Sequence, residues 1–201
     1  MKKITYLVII SFLSINSIYS QETMPIQKLE VSIDGKKFVV NENDTLMYDN
    51  KSIIISLSKN LSFNFGKLSF NYPKHFAFEN DKDLGVNIYT LDGNSFVINY
   101  FQFESEVESE SIINEMIKKF GKKNCKTSSK KISLNNIELI GTRINIALVG
   151  QKLTYDIFEI ENKDHKTNLI SFQDSKNDDG SDSKESIETL EVINNSFKVL
   201  N

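Results

Sequence analysis

Leu61-Ser-Phe-Asn-Phe65 and Leu68-Ser-Phe-Asn-Tyr72 are near copies of each other, separated by Gly66-Lys67. In each, the apolar residues fall at every second position. Leu61, Phe63 and Phe65 therefore share one face, Leu68, Phe70 and Tyr72 repeat it, and serine and asparagine lie opposite. That alternation is the signature of a half-buried strand. A two-residue turn at Gly66-Lys67 pairs Phe65 with Leu68 and Phe63 with Phe70, which puts both apolar sets on one side of a hairpin. A bulge at Gly66 within one long strand is the alternative. Pro73, which has no N–H for a ladder, ends the second strand.

Toward the C-terminus, residues 76–78 read as a short extended piece and residues 80–83 as a polar turn. Residues 86–90 and 95–103 are strands joined through Leu91-Asp92-Gly93-Asn94. Residues 109–120 form a helix, because Ile112, Ile113, Met116, Ile117 and Phe120 recur with a 3.6-residue period. Ser109 or Ser111 caps its start, and Gly121 supplies a left-handed residue at its end. Three antiparallel strands follow, at about 137–148, 153–161 and 167–173. Residues 174–183 are a polar loop. Asp182 with Glu185 resembles a capping box, opening a second helix whose buried stripe is Ile187, Leu190, Ile193 and Phe197.

Toward the N-terminus, Lys28-Leu-Glu-Val-Ser-Ile33 and Lys36-Lys-Phe-Val-Val40 flank Asp34-Gly35, a strong hairpin signal. Residues 41–51 read as loop and residues 52–58 as a β-branched strand. Residues 1–20 have the three parts of a cleavable secretory signal: Lys2 and Lys3, an apolar run of about a dozen residues, and the small residue Ser20 before Gln21. The run is short of the roughly 20 residues that cross a bilayer. No cysteine adjoins the cut, so a soluble product, periplasmic or secreted, is expected, with no transmembrane segment after cleavage.

The 201-residue chain carries 24 basic and 27 acidic residues, net −3. Arg143 is its only arginine. Nucleic-acid recognition favours arginine's planar fork, and the balance is acidic, so no nucleic-acid partner is expected. Cys125 is the only cysteine, and the fold must stand without an internal disulfide.

Motifs that carry chemistry are scarce. His75 and His165 are the only histidines, both in turns, with no Gly-x-Ser-x-Gly elbow to complete a nucleophilic triad. Two histidines and one cysteine, widely separated, make no zinc motif. The loop Asp174-Ser-Lys-Asn-Asp-Asp-Gly180 puts serine, not Asp or Glu, at the first and last positions of a calcium loop, and reads as solvated. Glu104, Glu106, Glu108 and Glu110 alternate before the first helix. Lys118, Lys119, Lys122, Lys123, Lys126, Lys130 and Lys131 crowd its end. Carboxylates at a helix N-terminus and ammonium groups at its C-terminus suit the macrodipole. Seven lysines exceed that need, and they are the candidate interaction patch for an anionic partner. The same lysines are expected to favour the Cys125 thiolate, and Arg143 is expected to pair with a carboxylate.

The order of strands, helix, meander and helix predicts an α+β fold: an antiparallel sheet with two packed helices, preceded by an N-terminal β-hairpin. From Leu68 onward the layout resembles the PsbP-like fold family. The features are Leu68-Ser-Phe-Asn-Tyr-Pro73 leading to Phe76-Ala-Phe78, the hairpin through Asp92-Gly93, the helix, the meander, and the close at Asn195-Ser-Phe-Lys-Val199. The resemblance implies an α/β/α sandwich over residues 62–201, with 21–61 as a hairpin extension and 1–20 as the signal. It also implies a non-enzymatic domain that docks to larger assemblies or accompanies other proteins. The expectation is an exported, non-catalytic binding protein of the bacterial cell envelope, its partner another envelope protein and no cofactor required. An immunity or inhibitor protein, and a lipid or small-ligand pocket or enzyme between sheet and helices, are the alternatives.

Overall fold

The computed structural model describes residues 28–83, 85–160 and 166–200. The proposed signal segment and His165 lie outside them. The chain divides into two compact units, Met1–Leu57 and Ser58–Asn201.

The first unit holds two hairpins. Strands β1 (Lys28–Ile33) and β2 (Lys36–Asn41) pair in the register the sequence implies, Ile33 opposite Lys36, with positive φ at both Asp34 and Gly35. Strands β3 (Thr45–Tyr48) and β4 (Lys51–Ile54) make a second hairpin: β3 lies where a loop was expected, and β4 covers the start of the strand expected at 52–58, which ends at Ile54. Its turn, Asp49-Asn50, also has positive φ at both positions, which these two residue types tolerate. The Phe38 and Tyr48 rings meet edge to face at 5.8 Å, and Tyr48 Oη donates to Asp34 at 2.8 Å.

In the second unit, β5 (Asn60–Phe65) and β6 (Leu68–Pro73) form the hairpin through Gly66-Lys67, with Phe63 opposite Phe70. After them come β7 (Ala77–Asp83), β8 (Val86–Asp92), β9 (Phe96–Phe103), helix α1 (Ser109–Phe120) and a 3₁₀ turn (Lys122–Asn124). Strands β10 (Cys125–Leu134), β11 (Ile137–Leu148), β12 (Gln151–Glu159) and β13 (Asn168–Ser175), helix α2 (Lys184–Asn194) and β14 (Lys198–Val199) complete it. Seven strands form one antiparallel sheet in the order β10-β11-β12-β13-β9-β8-β7, and β14-β6-β5 form another.

The expected α+β sandwich built on two packed helices is not what the chain forms. Of the described residues 57% lie in strands and 16% in helices, a mostly β structure. Two strands account for much of the difference. Residues 80–83, expected as a turn, continue β7, and Cys125–Leu134, expected only as lysines beyond a helix, is the ten-residue strand β10. Both lie at the ends of the large sheet. β7 is exposed along its whole length and β10 from Lys126 to Ser129, so neither stretch shows apolar alternation.

One face of the large sheet carries the main core. Phe63 and Phe70 of the small sheet stack at 4.8 Å and Phe63 meets Tyr100 of β9 edge to face, joined by Phe158, Phe172, Ile193 and Phe197, all nearly or fully buried. The phenylalanines therefore fill the interior. The opposite face buries Ile144, Ile146, Ile157 and Leu169 beneath Ile112, Ile113, Met116, Ile117 and Phe120 of α1, the stripe the periodicity assigns to that helix. Gly141 of β11 stands opposite Phe158. A methyl there would collide with the Ile157 carbonyl oxygen and the Phe158 ring, so the close approach of β11 and β12 requires glycine. Among the described residues no helix is long and apolar enough to cross a membrane.

Candidate functional site

Cross-strand register brings the charged residues of the main-core face together at one end of the large sheet. Lys126, Asn145, Thr154 and Asp174 stand in one row across β10, β11, β12 and β13. Ser128, Arg143, Asp156 and Phe172 make the next row, two residues along each strand and so on the same face.

Arg143 and Asp156 are direct cross-strand partners. Arg143 donates through Nε and Nη2 to the two Asp156 oxygens, both at 2.6 Å, the fork geometry of a bidentate pair. Lys130 Nζ approaches the same carboxylate at 3.9 Å. The hydrogen bond to Asp156 holds the Arg143 guanidinium above its ordinary pKa, against the opposing effect of desolvation. The sequence expectation of a carboxylate partner for Arg143 therefore holds. Beside this pair, buried Lys176 Nζ lies between Asp174, at 2.8 Å, and Asp182. Its hydrogen bond is the main cause of the lowered Asp182 pKa, outweighing desolvation. The loop once compared with a calcium site thus places an ammonium between two of its carboxylates.

Next to this balanced cluster the surface is concave and basic. A groove of about 290 Å³ is lined by Lys123, Asn124, Lys126, Asn145, Lys152, Thr154 and Lys176, with Ile146, Ala147, Leu153 and Gly180, and no carboxylate is among them. An adjoining hollow of about 370 Å³ runs along the β11–β12 turn past Lys152 and Asp178. Lys152 Nζ donates to the neutral Asp178 carbonyl at 2.7 Å. Among the described residues Lys123 and Lys126 make no ion pair, which leaves three ammonium groups at the groove without a carboxylate bound to them.

The structure divides the seven lysines of the expected patch. Lys118 and Lys119 end α1, and Lys118 pairs with Glu115 at 3.5 Å. Lys122 and Lys123 sit in the 3₁₀ turn, Lys126 and Lys130 share one face of β10, and Lys131 points to the other face and pairs with Glu138. Only Lys123 and Lys126 reach the groove. Lys152 and Lys176, which complete it, come from β12 and the loop after β13; no local run of charge announces them.

Cys125 packs beside α1 in the second core, and desolvation raises its thiol pKa, opposite to the direction expected from neighbouring lysines. His75 Nε2 lies 2.7 Å from Glu185 Oε1, and Ser95 Oγ donates to Glu185 Oε2 at 3.1 Å. The order is serine, acid, histidine. A triad needs the histidine between the other two, so His75 is not placed as a base for this serine. Glu185 instead accepts from the backbone N–H groups of Asn94 at 3.1 Å and Phe96 at 2.9 Å, and it also binds Ser95 N. The expected capping box is therefore absent: Ser183 caps α2 by accepting from Ser186 N at 3.1 Å, while Glu185 ties the helix to the β8–β9 turn. Ile187, expected in the buried stripe, is exposed.

Desolvation opposes ionisation of Glu185, but the hydrogen bonds from Ser95, His75 and Asn94 together outweigh it and lower the pKa from 4.5 to about 2. Because the folded value lies below the unfolded one, the stabilisation is complete above pH ~4.5 and is lost as pH falls toward 2. Glu185→Gln is expected to reduce stability by about 2–3 kcal/mol at pH 7. Urea unfolding at pH 7, 4 and 2.5 checks it: the gap between wild type and variant should close as the pH drops, and a constant gap would refute the assignment.

No protein-family model matches this chain, and no curated protein matches it in sequence.

Proposed function

We propose that this is an exported, non-catalytic binding protein of the cell envelope whose lysine-lined groove receives a carboxylate-rich segment of a partner protein. The observation that carries the reading is the groove's lining: four lysines, two polar amides, a threonine and no carboxylate, on a chain that is acidic overall. Among the described residues three of those ammonium groups have no carboxylate bound to them, so their charge is available to a ligand. The groove lies on packed strands, which limits the ordering that binding requires.

The test uses a fluorescently labelled poly-glutamate peptide and the exported, purified chain. Binding should be measurable by anisotropy at low salt, weaken as salt is raised, and fall at least ~10-fold in a Lys123→Glu/Lys152→Glu variant that keeps the wild-type unfolding midpoint; ten-fold corresponds to about 1.4 kcal/mol. Equal binding by variant and wild type would remove the groove from consideration.

A further inference from the structure

The large sheet ends in two strands of opposite charge. At one end, β10 carries Lys126, Lys130 and Lys131 and no acid. At the other, every residue of β7 is exposed, and Glu79, Asp81 and Asp83 stand at alternate positions on one face. The single lysine of β7, Lys82, is turned to Glu104 at 3.1 Å. Among the described residues, β10 pairs only with β11 and β7 only with β8, so each leaves one side of its backbone without a ladder partner.

Charges on edge strands normally prevent sheets from joining. Here they do so selectively. Two β10 edges repel each other, as do two β7 edges, because like charges come to lie opposite across the new ladder. A β10 edge against a β7 edge brings lysines to carboxylates instead. We infer that β10 of one copy adds to β7 of a second copy of this chain, a head-to-tail contact that extends the antiparallel sheet from molecule to molecule. Such an interface is heterologous, and it propagates into a chain of copies unless the rotation between them closes a ring. The inference goes beyond the groove reading, since it needs neither Lys123 nor Lys152.

Sedimentation analysis of the exported, purified chain at rising concentration and low salt should show association that weakens at least ~10-fold when salt is raised to about 0.5 M. Two variants separate this from unspecific contact. Lys126→Glu/Ser128→Glu makes the face of β10 that meets Glu79, Asp81 and Asp83 acidic as well, and Glu79→Lys/Asp81→Lys makes both edges basic; each alone should be monomeric. Their equimolar mixture should associate again, because the reversed edges now match. Lys123→Glu/Lys152→Glu should associate as wild type does. Hydrogen exchange provides a readout without substitution: the amides of Ala77–Asp83 and Cys125–Leu134 should slow at high concentration. A wild-type monomer at ~0.5 mM in low salt, association unchanged by either reversal, or a mixture that stays monomeric would each overturn the inference.

Discussion

Asp156→Ala is expected to destabilise the protein by about 3–4 kcal/mol, one of the two largest effects of any single substitution considered. The loss is not the value of one salt bridge. Among the described residues Asp156 is the only carboxylate bonded to Arg143, and it also faces Lys130; its side chain is 12% exposed, theirs 25% and 30%. Deleting it leaves two partly desolvated cations against each other, in a small cavity where the remaining carboxylates, Asp174 and Asp182, are bonded to Lys176. Removing one partner of a buried pair typically costs about 3–5 kcal/mol, most of it the penalty of the charge left behind. Residual exposure of the cations moves the expectation toward the lower part of that range. The double variant Arg143→Met/Asp156→Leu distinguishes this cause from loss of packing. It removes both charges from directly opposed positions on β11 and β12 and should recover most of the loss, as judged by urea unfolding midpoints. A single variant that loses less than about 1 kcal/mol would show that solvent screens the cluster.

The same cluster shows what local sequence can and cannot carry. Phe63 and Phe70 were legible as facing residues, because strand alternation and a glycine-initiated turn together define a register. The α1 stripe was legible for the equivalent helical reason. The pairing of Arg143 with Asp156 needed the β11–β12 register, and the bridge from Lys176 to Asp182 needed the loop to fold back over β13. Neither has a periodic signature. Strands β7 and β10 were missed because all of β7 and Lys126–Ser129 of β10 are exposed and free to be polar. Glu185 misled in another way: three residues after Asp182 it satisfies a capping pattern, yet the backbone N–H groups of residues 94–96 bind it more completely than one helix end could. The groove was half visible. Lys123 and Lys126 belong to a conspicuous run, whereas Lys152 and Lys176 join them only through the sheet.

Phe197→Ala should have an effect of similar size, about 3–5 kcal/mol, by a purely apolar route. The Phe197 ring is fully buried and stacks on Phe70 at 6.2 Å, where the small sheet meets the end of α2. Its backbone is held as firmly. Phe197 N donates to the Ile193 carbonyl at 2.8 Å, and Asn135 Nδ2 donates to the Phe197 carbonyl at 3.0 Å. The next two residues form β14 on β6, and Leu200 N donates to the Lys67 carbonyl at 2.8 Å. With its backbone fixed on both sides, the site has little freedom to collapse around a smaller side chain, and collapse is what limits the penalty of a cavity. Total stabilities of such domains are about 5–15 kcal/mol, so the loss is a large share of the whole, and the variant should melt roughly 6–20 °C lower, taking about 2–4 °C per kcal/mol for a chain of this size. Phe78→Ala is the internal comparison. That ring stacks on Phe65 at 5.2 Å but is 42% exposed on an edge strand, so the space it leaves fills with water rather than forming a void. Equal losses at the two positions would mean that aromatic stacking, not enclosure by the two sheets and α2, sets the value of these rings.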